Sequence, residues 1–219
     1  MKKILLIALI LTCMSCGATA GLLSGSSSGF VEKKGELVVG SGGTFVMFGT
    51  PFSSIDVFCN YGIMDNLNIF GRIGAGSVDY SVTPSFEPTA AASIYSFGAE
   101  YNFFRSPELA YNMIAEYENA AWGMNNLDNK SSTTSVGFEF VKKAADQRKY
   151  KVRLAAFFFN AGDNAGPKIT STTKYGIVTI NEYGFSDLLG GYFEGGILGG
   201  DPEGVLFYFG GGLTFNFLV

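Results

Sequence analysis

Apolar and polar residues alternate with a period of two over long stretches of this chain. That is the spacing at which a β-strand turns successive side chains to opposite faces. Between Ile55 and Ile63 one face carries Ile55, Val57, Cys59, Tyr61 and Ile63, and the other Asp56, Phe58, Asn60 and Gly62. Between Tyr95 and Phe103 the apolar face reads Tyr95, Phe97, Ala99, Tyr101, Phe103 against Ser96, Gly98, Glu100 and Asn102. Tyr150, Val152, Leu154, Ala156 and Phe158 alternate with Lys151, Arg153, Ala155 and Phe157. In the last segment Val205, Phe207, Phe209, Gly211, Leu213, Phe215 and Phe217 oppose Leu206, Tyr208, Gly210, Gly212, Thr214 and Asn216. These segments match the roughly 9–11 residues of a tilted membrane-crossing strand. Strands of soluble proteins are shorter, about 5–6 residues on average.

The pattern predicts strands near 35–48, 53–63, 67–80, 92–104, 110–122, 131–142, 149–161, 173–181, 187–199 and 205–217. The segment 173–181 alternates least cleanly. Turns are expected at Met64-Asp65-Asn66, over Arg105 to Glu108 around Pro107, and over Lys142 to Arg148. Longer loops are expected at the opposite rim, over Ser81 to Ala91, Gly123 to Lys130 and Asn160 to Thr172. Short turns on one rim and longer loops on the other characterise outer-membrane barrels, as does an even strand number. The fold expected is all-β, a transmembrane antiparallel up-and-down β-barrel of ten strands. Eight is the alternative, and it would make Lys168 to Gly200 mostly loop. No apolar run reaches the length of a membrane-spanning helix, and a closed barrel is the other structure that satisfies every backbone group in hydrocarbon.

The N-terminus has a different pattern. Lys2 and Lys3 precede an apolar run from Ile4 to Leu11, and Ala18-Thr19-Ala20 follows. A basic start, a short apolar stretch and an A-x-A site make a secretory signal peptide, cleaved between Ala20 and Gly21. The competing reading makes Cys16, after the small Ser15, a lipid acceptor. Residues 1–20 are thus the signal peptide, 21–34 a Gly/Ser-rich leader and 35–219 one barrel domain.

Composition then removes functions. Without Lys2 and Lys3 the chain keeps 13 basic against 19 acidic residues, an unsuitable balance for binding a phosphate backbone, so no nucleic-acid partner is expected. Histidine is absent. Ser-His-Asp and Cys-His nucleophiles and His-containing metal sites are therefore impossible. Of three cysteines only Cys59 lies beyond the signal segment, leaving neither an internal disulfide nor a metal-ligand spacing. Gly190-Gly191 and Gly195-Gly196 lack the Lys and Ser/Thr of a phosphate loop. Asp163 and Asn164 lack the spaced oxygen ligands of a calcium loop. No catalytic residue, cofactor or metal is expected, and the chain reads as a non-enzyme.

The stretch from Tyr61 to Gly74, YGIMDNLNIFGRIG, resembles the strand–periplasmic turn–strand unit of small Gram-negative outer-membrane β-barrels, the OmpA-like and porin-like proteins. Ser96 to Phe103 is similar to their following strand. Gly212, Phe215 and Phe217 in the tail resemble the signal such proteins present to the barrel insertion machinery, although this chain ends Leu218-Val219 beyond the last aromatic. The resemblance implies residence in the outer membrane, with lipid and that machinery as partners.

If the apolar faces meet lipid, then Arg72, Glu100, Glu116, Glu118, Glu139, Lys151, Arg153 and Glu194 face inward. Buried charges require partners or water. They either cross-link and fill a narrow barrel or line a polar channel. Tyr61, Tyr101, Phe103, Phe140, Tyr150 and Phe217 are expected at the periplasmic rim and Tyr80 and Tyr95 nearer the other, as interfacial girdles. Three functions compete: a structural, envelope-integrity or surface-interaction barrel; a narrow pore for small solutes or ions; and a soluble or lipid-anchored barrel binding an apolar ligand. The last requires the opposite polarity, apolar inside.

Overall fold

A computed structural model describes residues 33–47, 52–79, 89–124, 127–143, 148–163, 166–199 and 205–218. The proposed signal peptide, with Cys16, Ala18, Ala20 and Gly21, lies outside them. Ten strands follow in chain order: β1 (Glu36–Met47), β2 (Phe52–Met64), β3 (Leu67–Asp79), β4 (Thr89–Arg105), β5 (Leu109–Met124), β6 (Leu127–Lys143), β7 (Arg148–Asp163), β8 (Gly166–Gly184), β9 (Leu189–Gly199) and β10 (Val205–Leu218). Each pairs antiparallel with its neighbours in sequence, and β1 pairs with β10 from Glu36↔Leu218 to Met47↔Phe207 to close the ring. Closure leaves no unpaired edge.

The turn-side rim is tightly built. Met64 pairs with Leu67, so Asp65-Asn66 is a two-residue turn rather than three, and a register shift between Gly62 and Met64 takes up the extra residue. At the start of β1, Gly35 has a φ of 80°, which glycine adopts without steric cost, and its N–H donates to Gly62 O at 2.9 Å. Ser106 to Glu108 joins β4 to β5, where Ser106 N–H donates to Leu109 O and Leu109 N–H to Ser106 Oγ.

The opposite rim corrects the loop expectations. β5 and β6 stay paired as far as Met124↔Leu127, and β7 and β8 as far as Asp163↔Gly166. Gly123 to Lys130 and Asn160 to Thr172 are therefore almost entirely strand. Their Ser, Thr, Lys and Asn residues read as loop because they are polar, yet the ladder satisfies their backbone. Residues 80–88, at the remaining expected loop, lie outside the described set, and β4 already begins at Thr89. The wall is consequently taller over β4 to β8, at 16–19 residues per strand, than over β1, β2, β3, β9 and β10, at 11–14.

β8 had the weakest pattern and is the longest strand, at 19 residues. Its inward positions include Val178 and Ile180, both buried, while its outward positions carry Tyr175, Ile177 and the exposed Thr179. With apolar residues on both faces, alternation disappears although the strand remains. Elsewhere polarity and orientation agree. Phe97, Phe138, Ile73 and Leu154 are exposed on the outside, while Asp56, Arg72, Glu100, Glu139 and Glu194 are buried within.

Large inward side chains lie over glycines of neighbouring strands, the small/large alternation that fills small barrels. A Cβ on Gly40 would stand 2.2 Å from Phe58 Cζ, one on Gly98 2.4 Å from Phe70 Cζ, and one on Gly42 1.9 Å from the Tyr192 hydroxyl. The Phe58 and Tyr192 rings meet edge to face at 5.8 Å. The inner wall at the β1–β10 seam is thus nearly bare backbone beneath two aromatic rings.

Candidate functional site

The barrel interior gathers most of the buried charge among the described residues. Asn68, Phe70 and Arg72 alternate inward on β3, and Arg72 is only 4% exposed. Its Nη2 forms an ion pair with Glu118 Oε2 from β5, and its Nη1 lies 3.9 Å from Asp56 Oδ2 on β2. Glu116 and Glu194 also act on this guanidinium electrostatically. Glu194 stands on β9, which is not adjacent to β3, so charges on separate parts of the wall interact across the interior. An arginine stays charged at any accessible pH and offers five donors, which suits it to serve several carboxylates at once.

A second constellation lies nearer the turn-side rim. Asn112 Nδ2 donates to Glu100 Oε1 at 2.5 Å and to Glu139 Oε2 at 3.4 Å. Asn102 Nδ2 donates to Asn112 Oδ1 at 2.6 Å, and also to the carbonyls of Phe104 and Tyr111. Those last contacts sit where the β4–β5 register shifts between Asn102 and Phe104. Asn112 therefore bridges two buried carboxylates, and Asn102 ties that bridge to a bulged backbone.

Glu100, Glu116, Glu118, Glu139, Glu194 and Arg72 are all buried. Arg72 is brought together with Glu118 and Asp56, whereas Glu100 and Glu139 belong to the asparagine cluster. The backbone of Arg153 pairs with Glu139 and that of Lys151 with Val141, but both side chains lie outside the described residues. Sequence reasoning missed Asp56, Asn102, Asn112 and Glu182 as interior residues. All share the inward parity of the charges it did name, so parity was the available signal. Asp56 Oδ1 and the hydroxyls of Ser54, Ser96 and Thr214 are buried without a hydrogen-bond partner among the described residues. They present further polar groups to the same space. Among the described residues, no three or more His, Cys, Asp or Glu are grouped to hold a metal ion.

Outside, Tyr61, Tyr101, Phe103, Phe140 and Tyr95 are exposed, Tyr150 and Phe217 are half-buried, and Tyr80 lies outside the described residues. Tyr111 joins three of the rings at the turn side, with centroids 6.2 Å from Phe103, 5.3 Å from Phe104 and 5.3 Å from Phe140. Cys59 is a free, exposed thiol on this outer surface. In β10, Phe215 and Phe217 are half-buried opposite Val39 and Leu37, and Gly212 lies opposite Gly42.

No family model matches the sequence, and no curated protein is similar to it at the sequence level. Solved structures are similar in fold. The translocator domain of the autotransporter NalP from Neisseria meningitidis aligns with a TM-score of 0.50 at 9% identity, covering 84% of this chain and 89% of that one. The chain has the fold of an outer-membrane β-barrel. The outer-membrane protease OmpT of Escherichia coli aligns with a TM-score of 0.45 at 10% identity, over 89% of this chain and 100% of that one. The N-terminal β-barrel domain of OprF from Pseudomonas aeruginosa gives 0.41 at 13%, over 84% and 98%. At 9% identity the likeness to the NalP translocator domain is one of fold alone, and the chemistry of the barrel is read from its own residues.

Proposed function

We propose that this protein is an integral outer-membrane β-barrel of ten strands, exported behind a cleaved signal peptide and inserted with the help of the barrel assembly machinery. Its role is structural or interactive, in envelope integrity or surface presentation, and not enzymatic. The observation that carries this reading is the polarity of the wall. Rings and aliphatic side chains stand exposed outside, and carboxylates with an arginine are buried inside. A soluble ligand-binding barrel needs the reverse. In water the outer surface would be one apolar patch far larger than monomeric soluble proteins carry; in a bilayer it is matched. Arg72, Glu118 and Asp56, with the Glu100–Asn112–Glu139 bridge, tie inner positions of non-adjacent strands together and fix register. Lys151 and Arg153 are proposed to complete this network beside Glu139.

The test is vesicle flotation after an alkaline wash. Refolded protein that floats with the lipid and resists extraction supports the reading, and protein that stays soluble without detergent and lipid overturns it. A second reading, a narrow pore, is favoured by the charge of the interior. Reproducible single-channel steps in a planar bilayer would establish it, with Arg72 setting selectivity. An inserted but silent protein would assign the charges to packing.

A further inference from the structure

We infer that the start of β8 is a docking edge for an extended segment of another protein, which takes the place of β9 in the ladder and runs antiparallel to β8. The inference names a kind of partner for the surface role proposed above, and it rests on the outer-membrane reading for placing this rim outside the cell. The edge follows from register. β9 stops at Gly199, opposite Tyr175, whereas β8 begins nine positions earlier, at Gly166. On its other side that stretch stays paired with β7, from Phe157↔Lys174 to Ala161↔Thr170 and again at Asp163↔Gly166. Gly199 pairs with Val205, so only residues 200–204 connect β9 to β10. A connection that short has to turn back, and it can carry β9 forward by at most about two residues, as far as Thr173. Among the described residues no strand pairs with Gly166–Thr172 on that side.

The ladder also fixes which backbone groups the edge offers. Phe185 N–H donates to Leu189 O at 2.8 Å, and pairing then runs without a shift from Gly184↔Gly190 to Tyr175↔Gly199. In an antiparallel pair, alternate residues bond to one neighbour and the remainder to the other. Odd-numbered residues of β8 therefore bond to β9, and even-numbered ones to β7. Beyond Tyr175 the same parity turns the N–H and C=O of Thr173 and Ser171 to the side that β9 has left, about 7 Å apart along the strand. Ile169 follows where the β7–β8 register begins to shift. Pro167, beyond it, has no N–H to pair, which ends the usable edge there. Backbone donors and acceptors at this spacing are matched by another extended backbone, as in strand addition. A lipid or glycan chain has no such alternation. Two copies in one membrane are related by an axis along its normal, so their β8 edges run in the same sense. Antiparallel pairing, the more stable per residue, is left to a segment of a different protein.

The full chain, refolded in phosphatidylcholine nanodiscs, is followed by amide NMR. Without a partner, the Ser171 amide should exchange with solvent fast, while those of Thr170 and Thr172, bonded to β7, are protected. The protein is then titrated with a capped peptide of alternating threonine and glutamate, about eight residues long, and with its N-methylated form, which lacks backbone donors. The expected result is a saturable shift and new protection of the Ser171 amide with the first peptide and neither with the second. Ser171→Pro, which removes an edge N–H and spares the β7 ladder, should weaken binding by about tenfold, and Ser171→Ala should leave it unchanged. A Ser171 amide as protected as its neighbours in the free protein overturns the inference. So does the absence of binding, or equal binding of the N-methylated peptide or to Ser171→Pro. Protection that grows with protein concentration alone would assign the edge to a second copy and equally overturn it. Should Ser171→Pro fail to fold, the two peptides still decide the claim on the wild type. Protein that never inserts fails the membrane reading itself; protein that inserts and binds neither peptide fails this inference alone.

Discussion

The interior charges divide into one arginine serving several acids and one asparagine serving two. Removing Arg72 leaves Glu118 and Asp56 buried with their principal described cation gone. Arg72→Ala is expected to cost about 3–5 kcal/mol, the usual penalty for breaking a buried pair from one side. Urea unfolding in detergent checks it, and an unchanged midpoint would show that the guanidinium does not hold the wall together. The double change Arg72→Met with Glu118→Met should recover much of that loss, because two apolar side chains need no counter-charge. Individual inward residues were legible wherever a charge sat at the parity opposite a run of apolar ones, as with Arg72, Glu100 and Glu194. Asn102 and Asn112 share that parity, but an uncharged amide does not disclose its partners, and Asn112 matters because it stands between two carboxylates contributed by different strands.

Among the elements, the seam of β1 and β10 is where the wall has least tolerance. A Cβ at Gly212 would stand 2.0 Å from Ser41 O and 2.6 Å from Gly42 Cα, so backbone would have to move. At Gly43 the nearest heavy atom, Ser54 O, is 3.0 Å away. Gly212→Ala should therefore lower the refolding yield and the thermal midpoint of the folded form, while Gly43→Ala should do much less. Equal effects would mean that the seam is not closed by tight Gly42–Gly212 pairing. The exposed apolar outer face gives a second prediction. Phe138→Arg on the exposed outer face of β6 should cost about 2–4 kcal/mol in a bilayer, the range for an arginine near the midplane. A denaturant titration in vesicles measures it, and a change near zero would place that face against water. The all-β, antiparallel character was readable because β2, β4 and β10 each keep one face continuously apolar at a period of two. β8 escaped because Val178 and Ile180 make its inner face apolar. The polar extensions of β5 to β8 escaped because composition separates apolar from polar surface, whereas backbone pairing separates strand from loop, and at this rim those two boundaries part.

Taken whole, the molecule is a ring whose two surfaces have exchanged the usual polarity, and the proposed environment follows from that exchange. The taller wall over β4 to β8 carries its extra length at the rim away from the short turns, so a surface role would be exercised by paired polar strands more than by loops. Cys59 offers the most direct test of the orientation. It is exposed on β2 between Val57 and Tyr61, and Cys13 and Cys16 can be changed to serine without touching the described residues. With an environment-sensitive fluorophore on Cys59 of the vesicle-inserted protein, quenching is compared between acyl-chain nitroxide lipids and aqueous iodide. Strong quenching by the lipid label, with protection from iodide, is the expected result. Ready quenching by iodide with none from the lipid would put the apolar face in water and contradict the account.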